Sequence, residues 1–162
     1  MPQESLPPRI AGFKNGSVTW QRLEGVNYEV LGYFLSCHLI IEHYLDEFLK
    51  LGHDDLDWDA ARLTFGQKVA LLSSFKISDQ YDCIPAIKHM NSLRNKLSHD
   101  IEFKIDIKDL RPLTQYLTKS SERKMDVPTD PKDLLGSFTS MTCVLFAGWI
   151  ASTVNHRGLS RE

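Results

Sequence analysis

The sequence predicts an all-α fold, an antiparallel bundle of helices, on three observations. Apolar residues recur at helical spacing over residues 28–51 and in later segments. Residues that favour helix caps, Thr64, Asp82 and Asp130, stand where those patterns begin. Residues 134–154 then run without a charge. A chain of 162 residues fits one ordinary domain with a real core, and 42% hydrophobic with 25% charged residues is a globular balance.

In chain order, residues 1–26, with Pro7-Pro8, Gly12, Gly16 and Gly25, read as an irregular arm, and residues 27–158 as the helical domain. Leu31, Phe34, Leu35, Leu45 and Leu49 mark the apolar stripe of a first long helix that ends at a Gly52 cap. Residues 53–60 form an acidic loop; Asp55, Asp57 and Asp59 resemble the start of a calcium loop but lack its central glycine and closing glutamate. Thr64 and Gln67 make a capping box that opens a short helix through Phe75. Asp82 caps a third helix from Cys83 to about Ser98. From Ile101 the period changes to two, with Phe103, Ile105 and Ile107 alternating with polar residues, which signals extended chain. Asp106 with Asp109 starts a helix toward Thr118, residues 120–130 link, and Asp130-Pro131 opens the last helix.

Charge and cysteine content narrow the function classes. A formal charge of -2 and a pI near 6.3 exclude nucleic-acid binding by bulk electrostatics and leave only a local patch. Residues 88–111 offer six basic side chains against four acidic ones, a modest patch. Cys37, Cys83 and Cys143 are odd in number and lie in apolar segments, as reduced thiols of a cytoplasmic protein would. The first residues lack the basic and apolar regions of a signal peptide. The uncharged segment 134–154 is long enough to span a bilayer, but six hydroxyl side chains and a dense apolar run of only nine residues favour a helix in the core or a subunit interface, with no membrane contact.

Chemistry concentrates in the run Asn91-Ser92-Leu93-Arg94-Asn95-Lys96-Leu97-Ser98-His99. Arginine gives a permanently charged fork for phosphate, histidine moves a proton near neutral pH, and asparagine holds either in place. At about 100° per residue Arg94 falls inside the stripe of Ile87, Met90, Leu93, Leu97 and Ile101, so it needs a partner. His38 and Glu42 sit four apart in the first helix's stripe, and Glu42 is the expected partner of Arg94, with His38 completing a polar network. Arg94 and His99 lie about 140° apart on an ideal helix. Either the helix ends before His99 and its ring swings back, or the two meet across a symmetric dimer. His38, Glu42 and His43 do not share one face, so no metal site is expected.

The Arg94-Asn95-x-x-x-His99 string, with an inward acidic residue on a preceding helix, resembles the R-x-x-x-x-H motif of the HEPN superfamily of small helical-bundle proteins. The run Phe65-Gly66-Gln67-Lys68-Val69 also fits its stand-alone bacterial members. The resemblance covers most of residues 27–156, and the motif is its distinctive part. It implies a homodimer with a metal-independent, cofactor-free RNA-cleaving site between subunits. His99 would assist proton transfer, Arg94 would stabilise phosphate charge, and Asn95 would supply a polar group. His38, Glu42, Asn91 and Ser98 would support them. A toxin subgroup carries a modified tyrosine two residues after the histidine, where this chain has Ile101, so that regulation is not expected.

Two functions follow. One is a ribonuclease, as toxin or defence effector, with RNA and an antitoxin or regulatory protein as partners. The other is a non-catalytic dimeric regulator or binding module for nucleotide or protein, favoured by the near-neutral charge and the lack of a broad basic face.

Overall fold

The computed structural model describes residues 7–22, 26–76, 78–100, 103–122 and 124–158, and the fold among them is mostly helical. The helices are α1 (Tyr28–Gly52), α2 (Trp58–Ala61), α3 (Phe65–Leu71), α4 (Ile84–His99), α5 (Arg111–Ser120) and α6 (Pro131–Arg157). A hairpin of β1 (Arg9–Lys14) and β2 (Ser17–Gln21) precedes them, and a 3-10 turn at Asp79–Tyr81 leads into α4.

The hairpin corrects the expectation of an irregular arm. Asn15 and Gly16, both at positive φ, form a two-residue turn flanked by the Lys14–Ser17 pair. Positive φ at both central residues matches the right-handed twist of the strands, and Asn-Gly tolerates it best.

Local chemistry sets the helix ends. Asn27 accepts from the Val30 amide to start α1. Gly52 is the last helical residue rather than the cap, which falls on His53. The acidic loop is shorter than expected, because Asp57 caps α2 by accepting from Ala60. The Thr64–Gln67 capping box is present in full, but α3 stops at Leu71, short of Phe75. Asp82 accepts from the Ile84 amide at 3.3 Å, and α4 runs unbroken through His99. Ile101 and Glu102 lie outside the described residues; from Phe103 to Asp106 no strand forms, and residues 107–110 are a turn. That turn is held by Asp106, whose carboxylate accepts from Lys108 and Asp109, and by Asp109, which accepts from the Asp106 amide. Asp130 accepts from Lys132 and Asp133 at the start of α6, with Pro131 at its first position.

The core joins Phe34, Ile41 and Leu45 of α1 to Ile87, Met90 and Leu93 of α4, Leu113 of α5 and Leu134, Leu135 and Phe138 of α6. Leu35, placed in the α1 stripe by its spacing, is exposed. Packing direction differs from the antiparallel expectation in the longest pair. Lys132 pairs with Glu29 at the starts of α1 and α6, Tyr33 lies against Gly136, the Phe48 and Phe146 rings stand 5.4 Å apart, and Arg157 donates to the Leu51 carbonyl at 2.8 Å. Matching starts and ends make α1 and α6 parallel. Against α1, α4 runs the other way, since Leu97 shares a cavity with Val30 and Leu31 while Asn91 lies by His38.

The long α6 meets the length and apolarity of a membrane span, and a third of its most apolar window is buried in the fold. Leu134, Leu135, Phe138, Thr139, Thr142 and Phe146 face the core, whereas Val144 and Trp149 are exposed. The expectation of a core helix holds for that one face of α6.

Candidate functional site

Five of the seven candidate residues line one cleft. His38 and Glu42 come from α1, and Asn91, Arg94 and Asn95 from α4; Thr64, Phe65 and Gly66 at the start of α3 close the third side around about 480 Å³. The α1 pair is four apart, and the α4 set spans positions 91, 94 and 95, so each helix turns a single face to the gap. Gly66 is matched to this arrangement: a Cβ there would stand 3.2 Å from the Asn91 amide nitrogen.

His38 is 4% exposed, and its ring lies 4.0 Å from the Phe65 ring. Its Nε2 is buried without a hydrogen-bond partner among the described residues. Burial pushes the imidazole below its ordinary pKa of 6.5; the Arg94 charge adds to that, while Glu42 and the polar contact with Asn91 oppose it. At neutral pH His38 is therefore uncharged.

The expected Glu42–Arg94 pair does not form. Glu42 instead takes Lys68 of α3 at 2.8 Å, and the same ammonium meets Asp46 at 2.8 Å. Arg94 is exposed rather than buried, because the cleft, not another helix, faces the stripe of α4 at that turn. Among the described residues no hydrogen bond or ion pair holds its guanidinium. The result is a cation without a partner among the described residues at the rim of a polar cleft whose one carboxylate, Glu42, is already engaged by Lys68.

His99 and Ser98 do not join this group. The Ser98 hydroxyl donates to the Arg94 carbonyl at 3.0 Å, a bond back along its own helix. His99 is the last residue of α4 and is exposed, with the Asp100 amide donating to the Lys96 carbonyl at 2.8 Å to close the helix. The helix continues through His99, so the ring cannot swing back by early termination, and about 140° separates it from Arg94.

Lys68 is the residue the sequence reading missed, and its signal was present. Phe65, Val69 and Leu72 are buried at helical spacing, and Lys68 falls at the edge of that stripe, about 40° from Leu72. A charge bordering the buried face, 13% exposed in the fold, calls for a partner. The thiols take no part: Cys37 and Cys83 are buried, and burial pushes Cys83 up to about 12. Among the described residues no three His, Cys, Asp or Glu side chains gather as a metal site would require.

Compared with family models, with curated proteins and with solved structures, the chain matches none.

Proposed function

We propose that the chain is an endoribonuclease of HEPN type, acting without a metal as a homodimer whose two α4 helices together supply Arg94, Asn95 and His99. The observation that carries this reading is the guanidinium of Arg94, exposed and without a partner among the described residues. Lys68 occupies Glu42, so Arg94 keeps its charge for a ligand, and a bidentate fork suits a phosphate. His99 is likewise exposed, at the last residue of α4, and forms no hydrogen bond or ion pair among the described residues. Because one α4 points these groups about 140° apart, a second copy is required to bring one subunit's His99 to the other's Arg94.

The chemistry follows from RNA itself. Its 2′-hydroxyl loses a proton and attacks the adjacent phosphorus, the 5′-oxygen leaves with a proton, and a 2′,3′-cyclic phosphate remains. Histidine serves the proton transfers and arginine stabilises the added negative charge of the phosphorane. Asn95, on the rim beside Arg94, can donate to a phosphate or ribose oxygen.

A binding module for nucleotide or protein is the second reading, favoured by the absence of His99 from the cleft that holds Arg94. Incubating purified protein with single-stranded RNA in EDTA separates the two. The nuclease reading expects 2′,3′-cyclic ends from wild type and none from His99→Ala. Absence of cleavage across varied RNAs supports the binding module, and equal cleavage by both proteins removes His99 from the site.

A further inference from the structure

The N-terminal hairpin carries an apolar face that nothing among the described residues covers. Cross-strand pairs Ile10–Trp20 and Phe13–Val18 are each on one face, and the irregularity between Ile10 and Gly12 brings both pairs to the same side. Without the extra residue, Ile10 and Phe13, three apart, would point to opposite faces. The four side chains are 55%, 62%, 78% and 37% exposed in the order Ile10, Trp20, Phe13, Val18, and none belongs to the core or packs on it. The basic Arg9 and Lys14 pair with Gln21 and Ser17 on the other face. A two-stranded hairpin alone is marginal in water and gains stability by packing its apolar face.

The same chain offers a matching groove. Between α6 and the segment after α5 lies a groove of about 780 Å³, its apolar walls including Leu117, Met125, Pro128, Met141 and Val144. Asp133 is the one charged residue among its lining, so the groove, like the hairpin face, is largely without charge. We infer that the hairpin of one copy docks in this groove of a second copy, and reciprocally, as an arm exchange. Each hairpin face presents roughly 400 Å² of side-chain surface. Two hairpins and two matched grooves then bury about 1,600 Å², the size of a standard stable interface. Separation of the basic residues from the aromatic ones argues against a base-stacking platform, where both would share a face.

The test uses the full chain in analytical ultracentrifugation, with Phe13→Ser/Trp20→Ser as the arm variant and Val144→Asp as the groove variant. All three side chains are exposed, so the helical circular dichroism should be unchanged. Arm exchange expects a dimeric wild type, both variants reduced to monomer mass, and a heterodimer on mixing them, since one intact arm then meets one intact groove. A dimer that survives both variants places the subunit interface elsewhere and overturns the exchange while leaving a two-subunit nuclease intact. A wild-type monomer overturns it too, whether Trp20 is quenched by iodide or shielded in its own groove.

Discussion

Lys68 on α3 bridges two carboxylates of α1, lying 2.8 Å from Glu42 and 2.8 Å from Asp46. Its side chain is 13% exposed and that of Glu42 27%, so the contact is partly withdrawn from water. Lys68→Met should lower stability by about 1–2 kcal/mol, between the values for exposed and buried pairs. A double-mutant cycle of Glu42→Gln with Lys68→Met should show coupling of about 1 kcal/mol, and the cycle of Glu42→Gln with Arg94→Ala less than about 0.5 kcal/mol. The reverse ranking in denaturant melts would return Glu42 to Arg94.

The pH dependence of that bridge has a defined sign. Burial lowers the Lys68 pKa, but hydrogen bonds and charge from Asp46 and Glu42 outweigh it and raise the group above its ordinary 10.5. A raised lysine contributes fully below its unfolded pKa and loses the contribution as pH rises through the folded one. His38 acts at the other end. Its pKa lies below 6.5, chiefly through burial, so the unfolded chain binds the proton more readily. Stability should be full above pH 6.5 and fall as pH drops from there toward the lowered pKa. His38→Gln should flatten that acid limb, and melts between about pH 5 and 7 that leave the two proteins parallel would remove His38 as its source.

The parallel contact of α1 and α6 depends on a close approach. A Cβ at Gly136 would lie 2.7 Å from the Tyr33 hydroxyl oxygen but 3.7 Å and 3.8 Å from ring carbons. Alanine gains about 1 kcal/mol of helix propensity over glycine, and moving Tyr33 offsets it. Gly136→Ala alone should therefore be near neutral in thermal melts. In a Tyr33→Phe background the clash disappears, and the same substitution should raise stability by about 1 kcal/mol. A gain already present with Tyr33 intact would mean that the hydroxyl yields at no cost.

Much of this fold was legible because its signals are local. Thr64, Asp106, Asp109 and Asp130 hold turns and helix starts through carboxylates or hydroxyls within three residues of their donors. The hairpin is equally local: Asn15-Gly16 is its turn signal, which a reading of glycines as chain breakers alone passes over. What the periodicity of a helix does not carry is which neighbour it meets. Parallel packing of α1 on α6 depends on contacts some 100 residues apart, such as Lys132 with Glu29. The same limit misassigned Glu42: its inward direction was readable, but three helices had to be placed to know that Lys68, not Arg94, arrives beside it.

Arg94 offers the sharpest separation of chemistry from packing. Read as a buried charge, it would have been a structural residue whose loss unsettles the core. Exposed and without a partner among the described residues, it should be removable at little cost. Arg94→Ala should change stability by less than about 0.5 kcal/mol, as for an ordinary surface position. If Arg94 stabilises charge on a phosphate, the same substitution should lower RNA cleavage by about 100-fold or more. Lysine keeps the charge but not the fork, so Arg94→Lys should recover only part of the rate. His99→Ala should match the alanine variant in stability and abolish cleavage, since its side chain is exposed at the end of α4. Cleavage rates set beside denaturant melts for the three variants decide the matter: a loss of rate that tracks a loss of stability would assign Arg94 to the scaffold, and a loss of rate at constant stability assigns it to the reacting phosphate.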